Sequence, residues 1–214
     1  MEHRTVSLAD QIFKELEKNI LTGVYSRGEV FTEMHLSEML NVSRTPIREA
    51  IRRLEQERLI EVTTKGIVIL GISPKDISDM YEIRLRTEGL ASKWAAETIG
   101  EEGKKQLLDI VELQEFYTAK KDADNIREMD SKFHEVVYSN CGSVVLCDML
   151  HQLHRKVAKY RKASVTNSER AFLSTKEHRE ILDAILSGDG ALAEKLTVNH
   201  IKNAKKNIEK SVNK

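Results

Sequence analysis

The sequence predicts a mostly α-helical protein with two domains: a winged helix-turn-helix over residues 1–72, and an all-α antiparallel bundle of about six helices over residues 73–214. The 214-residue chain has only 2 Pro and 10 Gly, the residue types that most often interrupt helices. Apolar residues recur every three or four positions along most of the chain, as they do on amphipathic helices. The alternation typical of strands is confined to one stretch after residue 59.

Three helices are predicted at the start of the N-terminal domain. A first helix has one apolar stripe and ends near Gly23. The stripe consists of Leu8, Ile12, Leu16 and Ile20. A second, short helix fits Thr32 to Leu40 with Thr32 as its N-cap, and Asn41 then provides a turn. The third helix is predicted to begin at Ser43 or Thr45.

A β-hairpin is predicted after Leu59. Ile60 and Val62 precede a turn at 63–66, and the β-branched run 67–70 follows it. Three helices followed by a hairpin is the order of a winged helix-turn-helix. The joint to the second domain is predicted at 71–74, with Pro74 in the first turn of the next helix.

Six helical stretches are predicted beyond the joint, with no strand. They are 75–98, 101–120, 123–139, 143–162, 168–187 and 190–212. The predicted breaks are Gly100, Lys121-Asp122, Cys141-Gly142, Val165-Thr166-Asn167 and Gly188-Asp189-Gly190. Asp189 is the expected N-cap of the last helix.

Composition excludes several classes of protein. Because 34 Lys and Arg balance 34 Asp and Glu, binding of nucleic acid by bulk charge is excluded, whereas a local basic patch is not. No apolar run approaches the ~20 residues that cross a bilayer, and the first residues lack the layout of a signal peptide. Cys141 and Cys147 are too few for a disulfide scaffold and lack a neighbouring cation, so we expect a reduced, cytoplasmic protein in which they have no redox role.

One face of the third predicted helix is basic. Arg44, Arg48 and Arg52 lie within about 80° of one another on a helical projection. An adjacent arc is apolar and suited to docking, and it consists of Ile47, Ala50, Ile51 and Leu54. Glu55 falls at nearly the same angle as the arginines, one turn beyond Arg52. Because phosphate repels a carboxylate, only the N-terminal turns of this helix can enter a DNA groove.

Two interpretations of this basic face are open on spacing alone. The arginines form either a solvated helix face or a DNA-reading face, and the latter is favoured by the preceding helix and by the predicted hairpin with Lys65 and Gly66 at its tip. Ser43 and Thr45 add hydroxyls suited to phosphate oxygens. Arg44 and Arg48 can read guanine edges or hold phosphates, and the sequence does not decide between these roles.

The stretch from Ser43 to Glu55 resembles the signature of the GntR family of bacterial transcription regulators. The resemblance extends to 20–23 and 65–67, and it implies DNA contacts from seven residues. These are Ser43, Arg44, Thr45, Arg48, Arg52, Lys65 and Gly66. Met34 departs from the pattern, since some relatives have a DNA-contacting arginine there.

Histidines suggest a metal site in the bundle. Asp130 and His134 are spaced i, i+4 on one helix face, and His178 and His200 lie within apolar patterns of two other helices. Three imidazoles and one carboxylate suit Zn²⁺ or Ni²⁺. By spacing alone, histidines that pack in the core as ordinary buried residues are the alternative.

The same residues resemble the FCD domain that accompanies this DNA-binding domain in the FadR branch. The resemblance implies that Asp130, His134, His178 and His200 bind a divalent metal beneath a small-molecule pocket. Six helices indicate the shorter, VanR-like type.

Arg84 has two interpretations. It matches a family arginine that meets the carboxylate of an effector, and it is also placed to form a salt bridge with Glu88. Thr87 and Ser143 differ from many relatives near the pocket and leave the identity of the effector open.

His151 and His154 form an i, i+3 pair on the fourth bundle helix. They can hold a second metal, but a pocket lining or a surface face is favoured.

The predicted function is a ligand-responsive, homodimeric transcription regulator that binds a palindromic operator and a small carboxylate metabolite, with no enzymatic activity. Two alternatives are kept. One is a metalloenzyme with Glu177 as its general base. The other is a purely structural metal. The sequence does not distinguish repression from activation.

Overall fold

The computed structural model describes residues 7–166 and 168–212, with side chains described for 7–157 and 169–210. The chain divides into two compact units between Ser73 and Pro74. The first unit is a winged helix-turn-helix and the second is a helical bundle, so the predicted mostly α fold class is confirmed.

Three helices and three strands are described in the first unit. In chain order they are α1 (Leu8–Thr22), β1 (Val30–Phe31), α2 (Glu33–Met39), α3 (Arg44–Gln56), β2 (Ile60–Thr63) and β3 (Gly66–Ile69). Gly23 ends α1 with a φ of 75°, the left-handed conformation that favours glycine. Thr32 caps α2 as predicted, because its side chain accepts a hydrogen bond from the backbone N–H of His35. Ser43 precedes α3 without forming a side-chain cap bond.

The sheet contains one strand that the sequence did not predict. β1 pairs antiparallel with β3, which pairs antiparallel with β2, so the strand order is β1-β3-β2. β1 has two residues, too few to show a recognisable alternation. The predicted hairpin is confirmed, with Thr63 opposite Gly66 next to its tip.

α3 packs on the core of this unit through the predicted apolar arc. Its buried residues are Ile47, Ala50, Ile51 and Leu54. Glu55 lies near the end of the helix, and its Oε1 accepts a hydrogen bond from the backbone N–H of Val62 at 3.1 Å. This contact ties the end of α3 to β2 and leaves the first turns of the helix as the accessible end.

Six helices form the described part of the second unit. They are α4 (Pro74–Thr98), α5 (Glu101–Lys120), α6 (Ala123–Ser139), α7 (Val144–Thr166), α8 (Ser168–Leu186) and α9 (Gly190–Val212). The prediction of a break at Val165-Thr166 was wrong, because α7 continues through both residues; Asn167 lies outside the described residues. β-Branched residues disfavour a helix only weakly, so their presence did not end α7. Asp189 caps α9 as predicted, since its Oδ1 accepts a hydrogen bond from the N–H of Leu192 at 2.9 Å.

The bundle has an apolar interior into which the predicted metal ligands project. The fully buried residues of this interior include Leu107, Val111, Leu182, Ile185 and Ala193. α5 runs antiparallel to α8, because Gln114 contacts His178 and Thr118 contacts Thr175. A polar side chain buried in such an interior needs a partner, and this requirement shapes the site described below. Within the described ranges, each helix is too short or too polar to span a bilayer.

Candidate DNA-binding surface and metal centre

The basic residues of α3 point outward. The side chains of Arg44 and Arg48 are 57% and 55% exposed, and Arg52 is also exposed. Ser43 and Thr45 are exposed beside them at the start of the helix. All five predicted residues of this segment are therefore accessible, and the arginines lie on a face adjacent to the buried apolar arc.

Glu33 contacts two of these arginines, and the sequence analysis did not anticipate it. Its Oε2 accepts a hydrogen bond from Arg44 Nη2 and another from Arg48 Nε, each at 2.8 Å. The two bonds lower the pKa of the Glu33 carboxyl below its usual value. Glu33 is 11 and 15 residues away from its partners, so no local spacing rule could reveal the contact.

The hairpin places Lys65 at an exposed tip. Thr63 Oγ1 accepts a hydrogen bond from Lys65 N at 3.2 Å and donates one to Gly66 O at 3.0 Å. Gly66 has a φ of 128°, and a Cβ there would come within 2.6 Å of the backbone oxygen of Phe31. Glycine is therefore required at this position by both backbone conformation and space.

Three of the four predicted metal ligands converge in the bundle. His134 on α6, His178 on α8 and His200 on α9 are all buried, and one candidate ligand atom from each lies within 4.8 Å of the others. Asp130 is also buried, and its Oδ1 lies 3.7 Å from His178 Nε2. We call these three histidines the histidine trio.

The Nδ1 atom of each ring in the trio faces an oxygen atom. His178 Nδ1 lies 2.8 Å from Gln114 Oε1, and His200 Nδ1 lies 2.7 Å from Glu177 Oε2. His134 Nδ1 lies 3.2 Å from Glu88 Oε2. A neutral imidazole that donates from Nδ1 has its lone pair on Nε2, which is the usual arrangement of metal-binding histidines and their outer partners. The donor set of the trio with Asp130 therefore fits a divalent first-row ion.

Glu88 links the histidine trio to Arg84. It forms a buried ion pair with Arg84 Nε through Oε1, while its Oε2 faces His134. Burial opposes the charge on Arg84, but the adjacent Glu88 carboxylate outweighs it and raises the pKa of the guanidinium. The guanidinium also lies over the ring of Tyr81 at 4.6 Å. Within the described part of the chain, its buried Nη1 atom has no hydrogen-bond partner.

Glu177 is held by several neighbours. Arg170 and His200 contact its Oε2 at 2.8 and 2.7 Å, and Asn203 donates to its Oε1. Burial opposes ionisation of this carboxyl, but the contacts with His200 and Arg170 outweigh that effect and lower its pKa to about 2. Because these neighbours contact both oxygens of Glu177, its position suits a residue that orients His200 rather than a general base.

His151 and His154, the second histidine pair, have different surroundings. His154 is buried, with its ring 5.8 Å from the ring of His134, whereas half-buried His151 has its Nδ1 3.5 Å from Cys147 Sγ. Burial raises the pKa of the Cys147 thiol, which disfavours the reactive thiolate. His154 therefore lies beside the trio, and His151 faces the thiol.

Two family models match the chain. The model of the FCD domain matches residues 79–203, and the model of bacterial regulatory proteins of the gntR family matches residues 8–68. The chain belongs to the GntR family and carries an FCD domain.

Relatives of this GntR regulator support the assignment over most of its length. It is 29% identical to the HTH-type transcriptional regulator YdhC of Bacillus subtilis, over 89% of the chain and 86% of that protein. It is 32% identical to the gluconate operon transcriptional repressor of Bacillus licheniformis, over 58% of the chain and 51% of that protein. The structure of Escherichia coli McbR/YncC superposes with a TM-score of 0.79 at 19% identity, covering 97% of this chain and all of that one, and so shows the same fold.

The GntR and FCD assignments decide between the classes of function considered above. The matched families and relatives are transcription regulators rather than enzymes, so the resemblance is confirmed and the metalloenzyme alternative is not supported. Regulators of this kind bind operator DNA and small-molecule effectors.

The sequence analysis missed Gln114 as a partner of His178 and Glu33 as a partner of Arg44 and Arg48. It considered Glu177 only as a general base and Glu88 only as a partner of Arg84. For Gln114, burial within an otherwise apolar stripe of α5 is the signal that could have found it.

Proposed function

We propose that this GntR regulator binds a palindromic operator as a homodimer and that a small carboxylate metabolite modulates its affinity for DNA. The observation that carries the proposal is the exposed basic face of α3, a helix that packs on the core of its unit through an adjacent, buried apolar face. A helix so placed can enter a major groove with its first turns. The proposed DNA contacts are Ser43, Arg44, Thr45, Arg48, Arg52, Lys65 and Gly66.

For the bundle, we propose a divalent metal site, with Zn²⁺ or Ni²⁺ as the preferred ion, at Asp130, His134, His178 and His200. The three imidazoles converge within 4.8 Å. Gln114 and Glu177 contact the Nδ1 atoms of His178 and His200 at hydrogen-bond distance, and Glu88 Oε2 lies 3.2 Å from Nδ1 of His134. When bound, such an ion supplies positive charge that attracts a carboxylate oxygen.

For the effector site, two buried donors near the trio support a ligand that offers oxygen atoms. Arg84 Nη1 and Gln114 Nε2 have no hydrogen-bond partner within the described residues, although Arg84 contacts Glu88 and Gln114 contacts His178. Buried donors without partners are costly and rare, so a ligand that accepts from them is stabilised. The relative named for a gluconate operon is consistent with a carboxylate effector, since gluconate is itself a carboxylate.

The operator proposal is tested by selecting duplexes from a random pool with the full-length protein. We expect an inverted repeat, because a two-fold dimer presents the same helix to each half-site. Analytical ultracentrifugation of the protein with the selected duplex is expected to give two chains per duplex. Selection of no consensus, or one chain bound per asymmetric site, would contradict the proposed mode of binding.

The role of Arg84 is tested by removing its ion pair as a unit. The double variant Arg84→Gln/Glu88→Gln leaves no lone buried charge, and the single variant Glu88→Gln retains the guanidinium. We expect the double variant to require roughly 10–100-fold more gluconate or related carboxylate to change operator binding, because a hydrogen bond to a charged group contributes about 1.5–3 kcal/mol. The measurement is fluorescence anisotropy of the selected duplex during titration with a panel of small carboxylates.

The Glu88→Gln variant serves as the control for this experiment. It is expected to respond at carboxylate concentrations closer to those of the unmodified protein. Equal responses of the two variants would exclude Arg84 as the effector-binding cation.

A further inference from the structure

Glu33 joins two arginines of the basic face through one oxygen atom. Its Oε2 accepts hydrogen bonds from Arg44 Nη2 and Arg48 Nε, both at 2.8 Å, and the two arginines lie one turn apart on α3. The three side chains form a cluster with a net charge of +1. The Glu33 side chain is 30% exposed, against 57% and 55% for the arginines.

The cluster fixes the guanidinium heads without using up their donors. Each guanidinium has five N–H donors and spends one of them on Glu33, so four remain for a ligand. Exposed ion pairs contribute little to folding, so the consequence of this arrangement lies in binding rather than stability. Arginine heads held in place before binding lose less side-chain entropy when they meet a target of matching geometry.

We propose that Glu33 is a specificity-determining residue that positions Arg44 and Arg48 for the operator and weakens binding to other DNA. This inference rests on the proposed binding of DNA by α3. A matching operator presents acceptors to the donors that Glu33 leaves available, so the cluster stays intact. Non-specific DNA is held through phosphates, and there the arginines must either leave Glu33 or bring its carboxylate toward the phosphate charge.

The test compares two duplexes and three variants of the full-length chain. The duplexes are the selected operator and a scrambled sequence of the same composition, measured by anisotropy between 50 and 200 mM salt. Glu33→Ala removes the charge and the acceptor, whereas Glu33→Gln keeps an acceptor oxygen without the charge. The matched control is Glu38→Gln, which removes one exposed carboxylate from the same helix, α2.

Glu33→Ala is expected to tighten binding to the scrambled duplex by roughly tenfold per subunit near 0.1 M salt, because losing one negative charge acts like gaining one phosphate contact in each subunit. Operator affinity is expected to change by less than about threefold, since the gain in charge offsets the loss of positioning. The ratio of operator to scrambled affinity therefore falls. Glu33→Gln is expected to give an intermediate ratio, and Glu38→Gln to leave the ratio unchanged.

Two results would overturn the role of Glu33. One is a ratio of operator to scrambled affinity that is the same in both Glu33 variants as in the unmodified protein, when thermal melting shows that each variant is folded. The other is the same fall in ratio from Glu38→Gln, which would show a general effect of charge. Failure of the unmodified protein to prefer any duplex is a different outcome, because it contradicts the proposed operator binding before any variant is made.

Discussion

Replacing Arg48 with alanine is expected to weaken operator binding, and by about 2–6 kcal/mol if Arg48 reads a base, since a base-reading arginine contributes about 1–3 kcal/mol and a two-fold dimer loses one in each half-site. The side chain of Arg48 is 55% exposed and contacts Glu33 at the protein surface, so its removal leaves the apolar core of the first unit intact. The measurement is the affinity for the selected duplex as a function of salt.

The dependence on salt also separates the two roles left open for Arg48. If it holds a phosphate, binding to every duplex weakens and the slope of log affinity against log salt decreases by about 1 per subunit. If it reads a base, the loss is confined to the operator and preference at one position of each half-site relaxes. Lys14→Ala, which removes one exposed charge from α1, is the matched control and is expected to alter binding little. Unchanged affinity in Arg48→Ala would contradict the assignment of α3 as the recognition helix.

Much of the fold could be predicted because its signals are local. The apolar arc of α3 repeats at helical spacing, and all four predicted residues are buried. Helix ends at Gly23 and Asp189 follow from conformational freedom and from a capping oxygen, which are properties of one or two residues. β1 escaped prediction because two residues form a strand only when β3 supplies the hydrogen-bonding edge.

The candidate site could be predicted only in part, for a related reason. Asp130 and His134 share one helix, so their spacing points to a common face. The contacts of Gln114 with His178 and of Glu88 with His134 join residues from different helices of the bundle, and they depend on how those helices pack. The same limit applies to Glu33, whose charge is visible in the sequence but whose bridging position is set by the packing of α2 against α3.

Removal of the proposed metal is expected to destabilise the bundle strongly. A ligand present at 100–1,000 times its Kd stabilises the folded state by about 2.7–4.1 kcal/mol. Zinc added to chelator-treated protein should therefore raise the melting temperature, and His178→Ala should abolish the increase. His178 is the residue of choice because it is fully buried, contacts Gln114 and lies 3.7 Å from Asp130.

The shift caused by zinc, rather than the melting temperature itself, is the informative quantity. His178→Ala also removes a ring stacked on Phe133 at 4.2 Å, so the variant is expected to melt earlier even without metal. His151→Ala is the matched control, because that half-buried histidine faces Cys147 and should retain the full increase with zinc. Metal content after dialysis is expected to be one ion per chain for the unmodified protein and for His151→Ala, and near zero for His178→Ala. Equal content in all three proteins would place any bound ion elsewhere and leave the convergence of the trio to be explained by packing alone.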